Sequence, residues 1–460
     1  MKKTVNHILA AGLLALLSLA SCTDEFIEGN DLQGVDRDKR VEVRLPFGVG
    51  RGITTTITTR AAGGEIDYDS QLSGVMAFVY EAKSDNPEEN ELLAYHLFSN
   101  PSNKPLEGAT GGWIADNDDP TCGEIKFYVP VGDVYIYLLG NAQSSFLNFF
   151  PGVSGGDALG TQAEFFEKAT PKWNGNIHSV DGYLPLTGMV NNNTGLCHVN
   201  EQGQISYTDE EGKTHTLLPD GKHDEDNSFV LKRLMSKITM NIREGKGVKF
   251  TARDYTVRHI PHYVSPTAQA WTEEERDRIL VEDAKPVNFG LLDSLTFTIY
   301  LPENIRKVRS GVEITEYRQR DKVVKTADNK NTEETAPDDF HADNADNHKG
   351  HYKFEFAPKA STYIELTGWF ENADKTVAAD VRYYIHLGNF GKDLNHFSVE
   401  RDHHYTYNVT INGVDDIVVE VEDENEKTPG AEGVVFKHEA FAHIEPIFDQ
   451  VEMKFMRKRH

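Results

Sequence analysis

The stretch YTYNVTI, residues Tyr405–Ile411, alternates apolar or aromatic residues with polar ones along its whole length. Successive side chains of a β-strand point to opposite faces, so the tyrosines, the valine and the isoleucine share one face. The threonines and the asparagine take the other face. A strand with one packed face and one wet face is typical of antiparallel β-sandwiches. We therefore predict an all-β fold built from segments of this kind.

Segments of the same character recur elsewhere along the chain. Each is rich in β-branched and aromatic residues and is bounded by Gly, Pro, Asn or Asp, which favour turns. The predicted strands are SGVMAFVYEA (Ser73–Ala82), GEIKFYVPVGDVYIYLLGNA (Gly123–Ala142), FVLKRLMSKITMNI (Phe229–Ile242), SLTFTIYLP (Ser294–Pro302), YIELTGWF (Tyr363–Phe370), DVRYYIHLG (Asp380–Gly388) and DIVVEVE (Asp416–Glu422). Helical patterns are short, at Thr161–Ala169 and Thr272–Ala284, and predict insertions on a β scaffold.

A further alternating segment lies near the N-terminus. Its apolar positions are Val41, Val43, Leu45 and Phe47, and a β-branched run with Ile53 and Ile57 follows after three glycines. The period predicts a strand, and the glycines predict a bend or a hairpin within it. The run ends at Arg60, directly before the small residues Ala61–Gly64. We expect this flexible joint to be exposed and open to proteolysis.

The first 22 residues have the parts of a secretory signal. Lys2 and Lys3 are basic, Ile8–Leu19 is apolar, and small residues precede Cys22. This arrangement resembles the lipobox of bacterial lipoproteins. The resemblance implies a signal peptide over residues 1–21 and a lipid on Cys22 that includes palmitate. Ordinary secretory cleavage is the alternative. The acidic Thr23–Glu25 resembles the surface-export signal of Bacteroidetes lipoproteins, which implies an outer-membrane lipoprotein exported to the cell surface.

Composition excludes some classes of function. With 460 residues, 38% of them hydrophobic, the chain is long enough for two or three domains with cores. A net charge of −26 argues against nucleic acid or an anionic membrane as partner. Cys122 and Cys197 are too few for a disulfide framework, and we predict buried thiols.

The motifs of the sequence do not predict catalysis, a cofactor or a metal site. HEAFAH (His438–His443) spaces its histidines five residues apart, which turns the second about 140° from the first on a helix. GVSGG (Gly152–Gly156) fits the nucleophile-elbow string without the strand and the helix that should flank it. The adjacent His403 and His404 would point to opposite faces of a strand. The acidic segment 326–350 lacks the spacing of a calcium loop. We predict a protein that is not an enzyme.

Several segments together resemble the fimbrillin family, the subunits of type V pili of Bacteroidales. PVGDVYIYLLGNA (Pro130–Ala142) resembles the family's strand that closes on an asparagine, here Asn141, and YLPLTGMV (Tyr183–Val190) resembles its short turn. LKRLMSKITMNI (Leu231–Ile242) is similar to its strand with spaced basic residues. The segment from YYIHLG to DDIVVEV is the most specific match. Residues that carry these matches include Arg233, Lys237, Arg401, Tyr405, Gly413 and Asp416.

The resemblance implies two tandem transthyretin-like β-sandwich domains, which we place at residues 61–243 and 244–422, with a tail at 423–460. It also implies that an arginine-specific surface protease removes the N-terminal segment. We place the cut between Arg60 and Ala61, because small residues follow Arg60, and Arg44 and Arg51 are the alternative sites. The cut removes the lipidated tether and the first strand, residues 22–60. A strand from another subunit then fills the groove. The alternating residues Val451, Met453 and Phe455 in the tail are the candidate donor strand.

The function implied is that of a structural subunit of a surface pilus, or fimbrium, that serves adhesion. Its partners would be other pilin subunits in a homo- or hetero-polymer, the protease, the lipoprotein export machinery, and ligands on host or bacterial surfaces. A glycan-binding lipoprotein of a polysaccharide-uptake system is the alternative, because it shares the lipobox and the β-sandwiches. Its aromatic platforms would be drawn from Trp113, Trp173, Trp271 and Trp369. A hydrolase would need paired acids, which spacing alone does not select.

Overall fold

The computed structural model of the chain describes residues 39–50, 72–101, 109, 111–115, 121–142, 146–149, 160–168, 170–178, 183–190, 195–209, 211–218, 228–266, 281–291, 295–308, 311–326 and 351–423. These residues divide into two compact units. The first contains the described chain up to Leu234 together with 263–266, and the second contains 235–262 and the rest. Strands dominate both units, so the predicted all-β fold with short helical insertions is confirmed.

The first unit is built on one large sheet. Its strands are β1 (Arg40–Val49), β2 (Gly74–Glu81), β3 (Leu92–Ser99), β4 (Trp113–Ala115), β5 (Cys122–Pro130), β6 (Gly132–Gly140), β7 (Leu147–Asn148), β8 (Lys172–Trp173), β9 (Leu186–Gly188), β10 (Leu196–Val199), β11 (Ile205–Thr208), β12 (Thr214–Thr216) and β13 (Phe229–Arg233). Eleven of them form the sheet in the order β12-β11-β10-β6-β9-β13-β1-β5-β4, and β2 joins β6 to β3. The short strands β7 and β8 pair with each other.

Side chains from most strands of this sheet meet in a single core. Along β2 every residue is buried, because one face lines the core and the other is covered by a helix. That helix, α1 (Gln162–Lys168), packs Phe165 against Phe78 at 5.0 Å between ring centroids and stacks it on Tyr137 at 5.1 Å. The Glu164 amide donates to the Thr161 hydroxyl, which caps the helix at its N-terminal end.

The second unit contains two four-stranded sheets. Its elements are β14 (Met235–Glu244), β15 (Val248–Arg258), β16 (Ile260–Pro261), β17 (Val281–Glu282), β18 (Val287–Asn288), a 3-10 turn (Phe289–Leu291), β19 (Thr296–Pro302), α2 (Tyr317–Arg320), β20 (Val323–Thr326), β21 (His351–Phe354), β22 (Tyr363–Asn372), β23 (Ala378–His386), β24 (His404–Ile411) and β25 (Ile417–Asp423). The sheet orders are β19-β14-β24-β25 and β18-β15-β22-β23. In β24 the face predicted to pack, from Tyr405 to Ile411, is buried.

The segment from Phe229 to Ile242, which the sequence pattern presents as one strand, is two strands. β13 pairs with β9 and β1 in the first unit, whereas β14 pairs with β19 and β24 in the second. The chain therefore passes from one unit to the other at Leu234, earlier than the boundary placed at residue 243. The helix predicted to reach Ala284 is wrong at its end, because Val281–Glu282 is strand β17, paired with β16.

Residues that carry the family resemblance hold turns and strand ends together. Asn141 adopts a left-handed backbone, with φ 53. Its side chain accepts from the Ser73 amide at 2.8 Å and donates to the Leu184 carbonyl at 2.8 Å. The Tyr383 hydroxyl donates to the Gly413 carbonyl at 2.6 Å in the turn between β24 and β25. These contacts show that the motif residues stabilise the fold.

The strand assignments also give the positions of the two described cysteines. Cys197 on β10 is buried, and burial raises the pKa of its thiol. Cys122 at the start of β5 is half-buried. None of the helices within the described ranges is long and apolar enough to cross a membrane.

Candidate functional site

The N-terminal strand β1 lies inside the sheet of the first unit. It runs antiparallel to β5, with pairs from Arg40 opposite Pro130 to Gly48 opposite Cys122. On its other side, residues 47–49 run parallel to the start of β13. Both edges of β1 are thus hydrogen-bonded, and the strand connects two parts of the sheet.

The inward side chains of β1 belong to the core. Val43, Leu45 and Phe47 are each 0% exposed, and Val41 and Val49 pack against the same cluster. Full burial of a side chain of this size contributes roughly 1.5–3 kcal/mol. Three such side chains therefore contribute roughly 5–9 kcal/mol, which is comparable with the whole stability of a small domain.

The largest of these side chains, Phe47, packs against an aromatic ring and a glycine. Its ring meets the ring of Trp113 edge-on, with centroids 4.9 Å apart. Gly123 lies opposite Phe47 on β5. A Cβ added there would stand 3.1 Å from the phenyl ring and 3.0 Å from the Ile114 carbonyl. Glycine at this position thus leaves the room that the aromatic ring occupies.

The outward side chains of β1 meet charges on β5. Arg44 lies opposite Lys126, and Pro46 lies opposite Glu124. The Arg44 guanidinium reaches diagonally past its own partner to the Glu124 carboxylate, at 2.8 Å. Glu124 is 8% exposed, so the resident strand supplies a cation to a nearly buried anion.

Two main-chain hydrogen bonds show which residues of β1 form hydrogen-bonded pairs with β5 and which form the other kind of cross-strand pair. The Val49 amide donates to the Thr121 carbonyl at 3.0 Å, and the Val131 amide donates to the Lys39 carbonyl at 3.3 Å. Odd-numbered residues of β1 therefore belong to the hydrogen-bonded pairs with β5. Even-numbered residues form the other pairs, in which opposite side chains approach most closely.

The C-terminal end of β1 is held by a buried arginine. Arg233 at the end of β13 is 1% exposed, and its Nη1 donates to the Gly50 carbonyl at 2.8 Å. The Gly50 amide donates to the Leu231 carbonyl, also at 2.8 Å. Gly50 is the last described residue before the segment that carries Arg60. The anchor is therefore placed at the boundary between the buried strand and its connection to β2.

The middle of β1 is also backed by a tight turn. Gly203 has φ +76, and a Cβ built on it would stand 2.1 Å from the Glu42 carbonyl oxygen. This close approach requires glycine. The Lys39 ammonium pairs with the Glu201 carboxylate of the same turn.

The structure brings together four of the predicted site residues. Val41, Val43, Leu45 and Phe47 share the inward face of β1. The remaining predicted site residues lie outside the described residues; they are Cys22, Ile53, Ile57, Arg60, Ala61, Val451, Met453 and Phe455. The motifs Gly152–Gly156 and His438–His443 and the acidic residues 327–350 also lie outside them. Sequence reasoning did not connect Arg233, Glu124 and Lys126 with β1. The available signal was charge within otherwise apolar strands.

The adjacent histidines of the second unit have separate partners. His403 contacts the Asp423 carboxylate at 2.9 Å, and His404 contacts the Thr239 hydroxyl at 3.0 Å. Burial alone would lower the pKa of His403, but the hydrogen bond and charge of Asp423 outweigh burial and raise it. Within the ranges that the structure describes, no group of three His, Cys, Asp or Glu side chains could hold a metal ion.

The tryptophans differ in exposure. Trp113 packs on Phe47, and Trp173 is 4% exposed. Trp369 on β22 is 42% exposed, and Trp271 lies outside the described residues. Trp369 is therefore the most exposed of the described tryptophans.

Comparison with known proteins gives matches to one family and to several solved structures. Residues 299–409 match a family described as a domain of unknown function, DUF4906. No curated protein matches the chain.

Solved structures similar to the chain include the tip fimbrial protein Mfa3 from Porphyromonas gingivalis with C-terminal truncation, which is 14% identical with a TM-score of 0.40 over 84% of this chain and 99% of that chain. A candidate cell adhesion protein from Parabacteroides distasonis is 9% identical with a TM-score of 0.41, and the match covers 82% of this chain and 93% of that chain. A candidate polysaccharide-binding protein (DUF1812) from Bacteroides thetaiotaomicron is 8% identical with a TM-score of 0.31, and the match covers 84% of this chain and 99% of that chain. The structures that this chain resembles thus include fimbrial and adhesion proteins.

Proposed function

We propose that this chain is a structural subunit of a cell-surface pilus that serves adhesion, and that it assembles by exchange of its N-terminal strand. The observation that carries the proposal is the position of β1. It is an interior strand with fully buried side chains, and residues 50–73 connect it to β2. Arg60 lies in that connection.

Removal of β1 has a defined physical consequence. The facing edges of β5 and β13 lose their main-chain partners, and the pockets of Val43, Leu45 and Phe47 open to water. An edge of this kind recruits another strand, since main-chain hydrogen bonds supply affinity and alternate pockets supply specificity. A cut at Arg60 thus converts a capped monomer into one that must bind another strand.

The wider pathway follows the features of the sequence. Residues 1–21 direct secretion, Cys22 carries the lipid, and the export machinery brings the lipoprotein to the cell surface. There an arginine-specific protease cuts between Arg60 and Ala61. The two sandwich domains and the tail remain as the assembling subunit, with Val451, Met453 and Phe455 as the donor positions.

A direct test uses the full chain produced without its lipid. Treatment with an arginine-specific protease should release the segment that ends at Arg60 and produce ladders that resist SDS on gels. The Arg60→Ala variant is the matched control and should stay monomeric under the same treatment. A chain that is cut after Arg60, loses β1 and remains a stable monomer contradicts the proposal.

A glycan-binding surface lipoprotein is the second candidate, and the exposure of Trp369 favours it. Aromatic rings that stand free on a sheet can stack on sugar rings. Retardation of the uncut protein in polysaccharide-containing gels, abolished by Trp369→Ala, is the result this alternative requires.

A further inference from the structure

The charges on the outer face of β5 fit the resident strand poorly. Lys126 has a like charge, Arg44, directly opposite, and Glu124 has Pro46 directly opposite. Like charges in a cross-strand pair are destabilising, and these are the close, non-hydrogen-bonded pairs. The resident strand reaches Glu124 through the diagonal contact of Arg44.

We propose that Glu124 and Lys126 set the register of the incoming strand, because Glu124 pairs with a basic residue of that strand and Lys126 pairs with an acidic one. The strand that they select is Val451–Phe455 of a second copy, with Val451 in the place of Val43 and Phe455 in the place of Phe47. This inference rests on the proposed strand exchange and adds the direction and the register of the occupant, with the charges that select them.

The inward side chains match the vacated pockets in order. The sequence VEMKF places valine, methionine and phenylalanine where β1 has Val43, Leu45 and Phe47. Valine and phenylalanine are unchanged, and an exchange of leucine for methionine conserves volume. Phe455 therefore takes the space beside Trp113 that Gly123 leaves free.

The outward side chains match the charges of β5. Glu452 comes to lie opposite Lys126, and Lys454 comes to lie opposite Glu124. Both close cross-strand pairs then join opposite charges, each of which stabilises the pairing. The incoming strand thus replaces a like-charge pair and a proline with two attractive pairs.

Shifts by two residues remove this match in either direction. With Val451 at the position of Val41, Lys454 faces Lys126, and Arg457 enters the buried pocket of Phe47. With Val451 at the position of Leu45, Glu452 faces Glu124, and Asp449 enters the buried pocket of Val43. A reversed strand that fills the same three pockets brings Lys454 opposite Lys126 and Glu452 opposite Glu124. The charges therefore select one register and one direction.

A native cysteine makes the register measurable. Cys122 lies opposite Gly48 in a close cross-strand pair, and the proposed register brings Met456 to that place. The Cα separation in such pairs is compatible with a disulfide. We expect the full-length Met456→Cys protein, cut after Arg60, assembled and mildly oxidised, to give ladders that survive denaturation by boiling in SDS without reductant, which ladders of the unaltered protein should not do. Reduction should dissolve the covalent link, and the added Cys122→Ser change should prevent it.

Lys458→Cys is the matched control, because Lys458 occupies the place opposite Cys122 when Val451 shifts to the position of Val41. It should not cross-link.

A charge reversal tests the cause of the register. Glu452→Lys and Lys126→Glu should each slow assembly of the cut protein by roughly 2- to 30-fold, since each turns an attractive close pair into a repulsive one. The double variant should restore the rate. Lys232→Glu is the control for Lys126→Glu, because Lys232 is an exposed lysine on β13 that pairs with Thr187. It should neither slow assembly nor rescue Glu452→Lys.

The outcomes separate the two proposals. A disulfide cross-link from Met456→Cys together with rescue in the charge-reversed double variant supports the register. A cross-link from Lys458→Cys in place of Met456→Cys, or a double variant that stays slow, overturns the register and leaves strand exchange intact. Failure of the unaltered cut protein to assemble overturns the proposed function itself.

Discussion

At the scale of single residues, Arg233 connects parts of the chain that are far apart in sequence. Its guanidinium donates to the Gly50 carbonyl, 183 positions away. Because the guanidinium is almost fully buried, loss of either partner leaves a buried polar group without its hydrogen bond. The residue therefore stabilises the end of β1 that lies nearest the proposed cut.

We expect Arg233→Met to lower the free energy of unfolding of the uncut protein by about 1–3 kcal/mol. The cut protein should also release its N-terminal fragment faster. Chemical denaturation measures the first effect, and mass spectrometry of the released fragment measures the second. Arg401→Met is the matched control, because Arg401 is also buried but pairs with Glu303 in the second unit. Release at the wild-type rate from Arg233→Met would show that the anchor is unimportant.

His259 gives the second unit a pH dependence. Burial lowers the pKa of His259 from 6.5 to about 4, and the Asp283 carboxylate opposes only part of this shift. Between these two pH values the unfolded chain binds the proton and the folded chain does not. Stability therefore falls as the pH drops through that window, by at most about 3 kcal/mol.

The variant His259→Asn should flatten this dependence between pH 6.5 and pH 4. Asparagine tolerates the left-handed backbone of this position, where φ is 58. Denaturation curves at several pH values check the result. Burial also lowers the pKa of His386 in the same unit, so part of the dependence should remain. An unchanged pH profile would exclude His259 as a source.

At the scale of elements, β1 is well matched to its sheet on one face and poorly matched on the other. Inward it contributes three fully buried side chains. Outward it places Arg44 opposite Lys126. Core packing therefore keeps the strand in the uncut protein, while its outer face leaves room for a better partner.

We expect Phe47→Ala to destabilise the uncut protein by about 3–5 kcal/mol, because a cavity opens beside Trp113. After the cut the same variant should assemble as the wild type does, since β1 has left. Phe127→Ala on β5 is the control, because its side chain lines the same core and stays in the subunit. It should impair both states. Thermal unfolding measures the stability of the uncut proteins, and assembly kinetics measure the cut ones. Slow assembly of cut Phe47→Ala would contradict strand release.

At the scale of the molecule, the two units should respond differently to the cut. Main-chain pairing of β1 involves the first unit alone, whereas the strands of the second unit pair among themselves. The consequences of losing β1 are therefore expected in the neighbours of that strand.

Hydrogen exchange after the cut should accelerate at the amides of Ile125, Phe127 and Val129, which face β1, and slow again in the polymer. The Lys126 amide donates to the Gly112 carbonyl at 2.9 Å on the other side of β5, and it serves as an internal control. Amides of β22 should keep their rates. Uniform acceleration across both units would indicate general unfolding in place of local release.

Alternation in the sequence predicted most of the strands and the inward face of β1, since burial repeats every second residue. It did not locate the passage between the units, because FVLKRLMSKITMNI is continuous in pattern while its pairing partners change at Leu234. Charge within otherwise apolar strands singles out Arg233, Glu124 and Lys126, but it does not reveal their partners. They depend on register between strands far apart in the chain, and a single sequence does not contain that register.

The connection between β1 and β2 has a thermodynamic meaning of its own. Residues 50–73 tether β1 covalently to β2, and covalent tethering gives a strand an effective concentration on the order of millimolar. A free segment from another copy competes poorly against that value at ordinary protein concentrations. A single break in the tether abolishes the advantage without changing any contact inside the groove. Hydrolysis at Arg60 would therefore act through entropy, and the outcome of the competition would depend on the concentration of subunits at the cell surface.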